Sequence, residues 1–173
     1  MGLIGSLLGR AHPSEQDADP TDGRRETETE KLDRNWNELL QELRVLETGT
    51  QILTGFLLTV AFQQRFTDLT PFQVGLYLVL VSLAAVSTIL ALTPVALHRG
   101  LFRQGAKDVL VLWTDRLLKA AFATTAIAIV GVAVLLFDVA ATFAWAVGAG
   151  VVSALLVIAA WFVLPVGLRR DRR

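Results

Sequence analysis

The sequence predicts an all-α membrane protein, a four-transmembrane-helix bundle whose first and third spans carry cytoplasmic helical extensions. Three observations predict it. Of the 173 residues, 53% are hydrophobic and the mean hydropathy is +0.52, above the roughly 45–50% apolar content of soluble domains. The charges fall in blocks: Thr48 to Gln64, Leu69 to Leu97, Ala120 to Phe137 and Val139 to Leu168 hold no Asp, Glu, Lys or Arg. Each run approaches or exceeds the ~20 residues that cross the hydrocarbon core as a helix. The apolar residues are continuous and do not alternate, which argues against a β-barrel.

The predicted spans cover about 45–63, 71–97, 117–137 and 140–165, within a membrane domain over 27–168. Ahead of it, Met1 to Leu8 lacks the basic start and small-residue cleavage site of a signal peptide. Arg10 to Glu26 combines proline, glycine and charge with few large apolar residues, so 1–26 is expected to be a disordered tail. Residues 169–173 form a basic tail.

Order is expected from Thr27, because Thr27-x-x-Glu30 fits a capping box. Leu32, Trp36, Leu39, Leu40, Leu43 and Leu46 then recur at spacings of three and four and line one helical face. Glu30, Arg34 and Glu38 follow at i,i+4 on another face, where alternating charges attract. Nothing stops this helix before Gly49, so a single rod enters the first span. Thr70-Pro71-Phe72-Gln73 restarts a helix with Thr at the N-cap, Pro at the first position and Gln at the third. The second span is long enough to tilt or to emerge at Pro94. After the connection with Gly100 and Gly105, Val109, Leu110, Trp113 and Leu117 begin a second rod leading into the third span. Asp138 is expected at a turn or N-cap before the fourth.

Basic residues near span ends mark the cytoplasmic side. With both termini inside, the 16 Lys and Arg divide into six in the N-terminal segment, five in the central connection and four at the C-terminus, leaving Arg65 outside. Tyr77, Trp145 and Trp161 fit an interfacial aromatic belt.

The function classes narrow by what is missing. A net charge of zero argues against nucleic acid as a partner. Zero cysteines remove thiol chemistry and Cys-based metal sites. His12 and His98 have no partner at ligand spacing. No cofactor, no metal and no enzymatic activity are expected.

The candidate intramembrane polar site is Glu47 with Gln51, Thr54 and Arg44. A carboxylate inside a span is a functional candidate by default, and Gln51, Thr50 and Thr54 share its face. The structural alternative places Glu47 about 10 Å from the middle of its span, near the interface, with Arg44 at i,i+3 to pair with it. The candidate partner face is Leu32, Trp36, Leu39 and Leu43 on one rod with Trp113 on the other. Those faces need cover outside lipid, from each other in parallel or from a partner protein. Small residues at fourth positions, Ala146, Gly150 and Ala154 in the fourth span and Ala120, Thr124 and Ala128 in the third, favour close helix approach within one bundle or between copies.

The runs Glu28 to Val45, Thr48-Gly49, Gln51-Ile52-Leu53 and Gly55-Phe56-Leu57-Leu58 carry a resemblance, as do Pro94 to Arg99, Phe102-Arg103, Lys107-Asp108 and Asp115-Arg116-Leu117. Over Thr27 to Leu168 the chain resembles a family of small four-span membrane proteins of unknown function from high-GC Gram-positive bacteria. Some members are labelled sodium:proton antiporters by automatic transfer. The resemblance implies a multi-pass protein of the bacterial plasma membrane, and no catalytic motif. Many members carry Gln where this chain has Glu47, which weakens a shared proton-carrier role.

The expected function is therefore that of a non-enzymatic structural or accessory protein, acting through helix packing or a cytoplasmic partner. Its expected partners are the lipid bilayer and a second copy or another membrane protein. The alternative is a small oligomeric proton- or sodium-coupled transporter using Glu47.

Overall fold

A computed structural model of the chain describes residues 17–18, 23–101 and 107–170. The tail expected over 1–26 lies outside the described residues except at 17–18 and 23–26, as do 102–106 of the central connection and 171–173 of the basic tail.

Four helical rods make up the described chain. The first, α1, is Glu28–Ala61; a 3-10 turn, Gln64–Asp68, leads to α2, Pro71–Gly100. Helix α3 is Lys107–Ala140. The last rod is α4, Phe143–Ile158, continued through a π turn over Ala159–Val163 into α5, Leu164–Arg170. Three rods, Pro71–Gly100, Asp108–Ala140 and Phe143–Leu168, are long and apolar enough to cross a membrane. Helix α1 falls short of that composition, because Glu47, Gln51 and four threonines dilute its apolar half before the helix ends at Ala61.

Local chemistry explains the helix starts. The Thr27 hydroxyl accepts from the Glu30 N–H, and the Glu30 carboxylate accepts from the Thr27 N–H at 2.8 Å. Thr70 and Gln73 repeat this box at α2, with Pro71 supplying a first residue that has no N–H to satisfy. Gly49 does not interrupt α1, which runs unbroken for 34 residues. Helix α2 likewise continues past Pro94, which is buried.

Packing follows stripes of three-and-four spacing. On α2, Tyr77, Leu80, Ala84, Ser87, Ala91 and Pro94 are buried; on α3, Leu110, Thr114, Leu118, Ala121, Thr125, Ala128 and Leu135 are. These two stripes face each other in the largest helix pair. Helix α3 holds the central place in the bundle. It packs on α2, α4 and α1, whereas α4 has its extensive contacts with α3 alone. The reason lies in small residues on two sides of α3 and α4. A Cβ at Gly131 would lie 2.5 Å from Leu80 Cδ2, and a Cβ at Gly150 would lie 2.7 Å from Val134 Cγ2. Glycine permits both approaches. The small-residue line on α3 that meets its neighbours is Ala121, Thr125 and Ala128; Ala120 is exposed.

Three further expectations change. Asp138 is not a turn residue: α3 passes through it to Ala140, and its carboxylate accepts from Gln73 Nε2 at 2.9 Å. Tyr77 is not a belt residue. It is 6% exposed, donates its hydroxyl proton to the Leu57 carbonyl of α1 at 3.1 Å and meets Phe66 edge-on. Arg34 pairs with Glu38 at 3.1 Å as expected, but its second partner is Glu26 at 2.7 Å, because Glu30 is occupied by the cap.

Candidate functional site

The inward stripe of α1 sets the geometry of the candidate polar site. Leu43 and Leu46 pack with Ala91 of α2 and with Leu118 and Ala121 of α3, and Leu39, Leu40, Leu90 and Phe122 lie against this cluster. Thr50 is the next buried residue on the same stripe. Glu47 therefore stands at the edge of the packed face, half-buried. With Thr50 and Gln51 it overlooks Thr88, Ala91 and Leu92 of α2 across a groove of about 110 Å³.

The groove offers acceptors more than donors. Thr50 donates to the Leu46 carbonyl and Thr88 to the Ala84 carbonyl, both at 2.9 Å, so each hydroxyl proton is committed to its own helix. Only the Gln51 amide is left to donate. Among the described residues Glu47 has no hydrogen-bond or ion-pair partner. Arg44 does not pair with it; its guanidinium donates back to the side-chain oxygen Oε1 of Gln41 at 3.4 Å. Helical side chains lean toward the N-terminus, which carries Arg44 away from a residue three positions ahead. Thr54 lies off this groove, with a buried hydroxyl that has no partner among the described residues. The structure thus brings Glu47, Gln51 and Thr50 together with Thr88, and leaves Arg44 and Thr54 apart. Such a groove has room for a few waters beside the carboxylate.

The candidate partner face is divided in the same way. Leu39 and Leu43 are covered within the molecule by α2 and α3, and Leu32 is half-buried. Trp36 stacks on His98 near the end of α2, with ring centroids 5.2 Å apart and planes at 21°. Trp113 does not join them. It is 49% exposed, with the Arg116 guanidinium 5.6 Å from its ring centroid, alongside the exposed Val109 and Leu112 of α3.

Electrostatics at the start of α1 reinforce its cap. The Arg34 hydrogen bond holds the Glu26 carboxyl below its usual range, and the Thr27 backbone N–H does the same for Glu30. Arg34 in turn is pushed up by Glu26 and Glu38.

Several interhelical polar contacts escaped the sequence reading. Ser87 and Thr125 lie 2.7 Å apart between α2 and α3, with Ser87 Oγ also 3.2 Å from the Ala121 carbonyl oxygen. Their spacing in the buried stripes, Ser87 between Ala84 and Ala91 and Thr125 between Ala121 and Ala128, was the available signal. Gln73 with Asp138, and Tyr77 with Leu57, needed the helix register as well.

No curated protein and no solved structure matches the chain. A family profile matches residues 25–165, which takes in nearly all of the four rods. The chain belongs to that family, a family of unknown function (DUF6328).

Proposed function

We propose that this protein is a four-span component of the bacterial plasma membrane, with both termini cytoplasmic, that acts as a non-enzymatic accessory protein through helix packing and a cytoplasmic partner. In this reading the first span covers about 45–63, and the part of α1 before it stands in the cytoplasm beside the start of α3. The distribution of Lys and Arg supports the orientation. The observation that carries the role is where the interior polar groups go. Ser87, Thr125, Tyr77, Gln73 and Asp138 each join one helix to another, so these five groups serve cohesion. The exposed Val109, Leu112 and Trp113 give a partner an apolar strip beside basic residues.

A second reading, an oligomeric proton- or sodium-coupled transporter, is favoured by the half-buried, unpartnered Glu47 on its groove. One pair of measurements separates them. Proteoliposomes holding a pH gradient are expected to keep it with or without sodium, and Glu47→Gln to change nothing. Sodium-dependent collapse of the gradient that Glu47→Gln abolishes would sink the accessory reading. Because the chain has no cysteine, single-cysteine labelling from each side of the membrane reads the topology directly, with Arg65→Cys expected to label from outside.

A further inference from the structure

The flank where α4 lies on α3 is not evenly closed. Toward the end of the last rod it opens into a hollow of about 480 Å³, walled by Phe122 and Ala126 of α3 and by Ala160, Trp161 and Pro165, with Lys119 at one end. That volume falls in the range of ordinary ligand pockets. The cause is local. Pro165 has no N–H to give the carbonyl four residues back, and the backbone before it widens into the π turn, where the Leu164 N–H bonds to the Ala159 carbonyl. Trp161 sits within that turn with its ring edge-on to Phe122, centroids 5.6 Å apart. Alanines at 126 and 160 then leave the space beside the rings unfilled.

The charges around the hollow have one prevailing sign. Lys119 is 73% exposed and reaches Asp115 at 2.6 Å. Arg116 lies one residue beyond Asp115, and the rod carrying Pro165 ends in Arg169 and Arg170. On this turn of α3 two cations, Lys119 and Arg116, stand beside the single carboxylate of Asp115. An apolar slot open to the side, ending at a lysine that can extend to the headgroup level, matches a lipid with an acyl chain below and a phosphate above.

We infer that this hollow is a binding site for an anionic phospholipid of the cytoplasmic leaflet, its acyl chain against Trp161 and Phe122 and its phosphate at Lys119. The inference rests on the membrane reading above and adds a ligand class to it. The full chain, reconstituted in nanodiscs of equal phosphatidylglycerol and phosphatidylcholine and then released for native mass spectrometry, is expected to retain phosphatidylglycerol about fivefold over phosphatidylcholine. Lys119→Gln should remove the preference and keep some lipid. Ala126→Trp, or Ala160→Trp at the exposed wall, should remove the retained lipid while the helical circular dichroism stays unchanged. Equal retention of the two lipids, retention unaltered by both tryptophan variants, or a second copy of the chain in place of lipid would each overturn the inference. Failure to insert into any bilayer would overturn the membrane reading with it, whereas insertion with equal retention overturns this inference alone.

Discussion

Gln73 and Asp138, 65 positions apart, are joined by one hydrogen bond of 2.9 Å from the start of α2 to the end of α3. The same glutamine accepts from the Thr70 N–H through its other amide atom at 2.9 Å, so one side chain both caps α2 and ties it to α3. Gln73→Glu should keep the cap, since a carboxylate accepts equally well, and set a second carboxylate against Asp138. We expect a loss of about 1–3 kcal/mol in detergent unfolding, recovered when Asp138→Asn is added. A single variant as stable as the parent would mean that the two ends are not coupled.

The start of α1 should respond to acid. Glu26 and Glu30 both sit below the ordinary 4.5 in the folded chain. A carboxylate depressed in this way stabilises fully above the unfolded value, and its contribution fades as the pH falls through the lower folded one. Protection against hydrogen exchange in the first two turns of α1, taken relative to the intrinsic rate at each pH, should be highest at neutral pH and fall well below 4.5, with Arg34→Gln removing most of the Glu26 part. Protection that is the same at neutral and acidic pH would contradict this.

Close approach makes a test of the α3–α4 contact. Because a Cβ at Gly150 would come within 2.7 Å of Val134 Cγ2, and valine is stiff at χ1, Gly150→Ala should cost about 1–3 kcal/mol. Val134→Ala in the same chain should return part of that loss. Thermal unfolding of the two singles and the double decides it: simple additivity would show that the two positions do not meet.

The two halves of the expected partner face should separate in their effects. Leu43 is 3% exposed in the cluster with Leu118 and Ala121, so Leu43→Ala should destabilise by about 2–5 kcal/mol. Trp113 is half exposed, and Trp113→Ala should change stability by much less while weakening capture of a cytoplasmic partner. Melting curves paired with cross-linking from position 113 would reveal the opposite pattern if α1 carried the docking surface.

Helix existence and helix starts were open to reading because they depend on neighbours in the chain. The boxes at Thr27 and Thr70, the proline at 71 and the charge-free runs each act within a turn or a single rod. The central place of α3 was hidden for a physical reason. A helix in lipid is apolar on its packed and its lipid-facing sides alike, so hydropathy does not mark which side meets a neighbour. Leu155 and Leu80 look the same in sequence, yet one is exposed and the other buried. The Glu47 groove was half legible. Its α1 residues shared a face by spacing, but Thr88 entered only through the register between α1 and α2, and the direction of Arg44 depended on side-chain lean. The hollow at Trp161 needed the π turn, for which Pro165 was a sign that went unread.

The one-sided attachment of the last rod bears on the order of assembly. Synthesis delivers α1, α2 and α3 first, and these three already contain every contact among themselves. The growing chain therefore has a finished three-helix unit to offer before α4 leaves the ribosome, and α4 adds to it along a single seam with α3. Loss of that seam would leave the contacts among α1, α2 and α3 in place and an apolar helix without its cover.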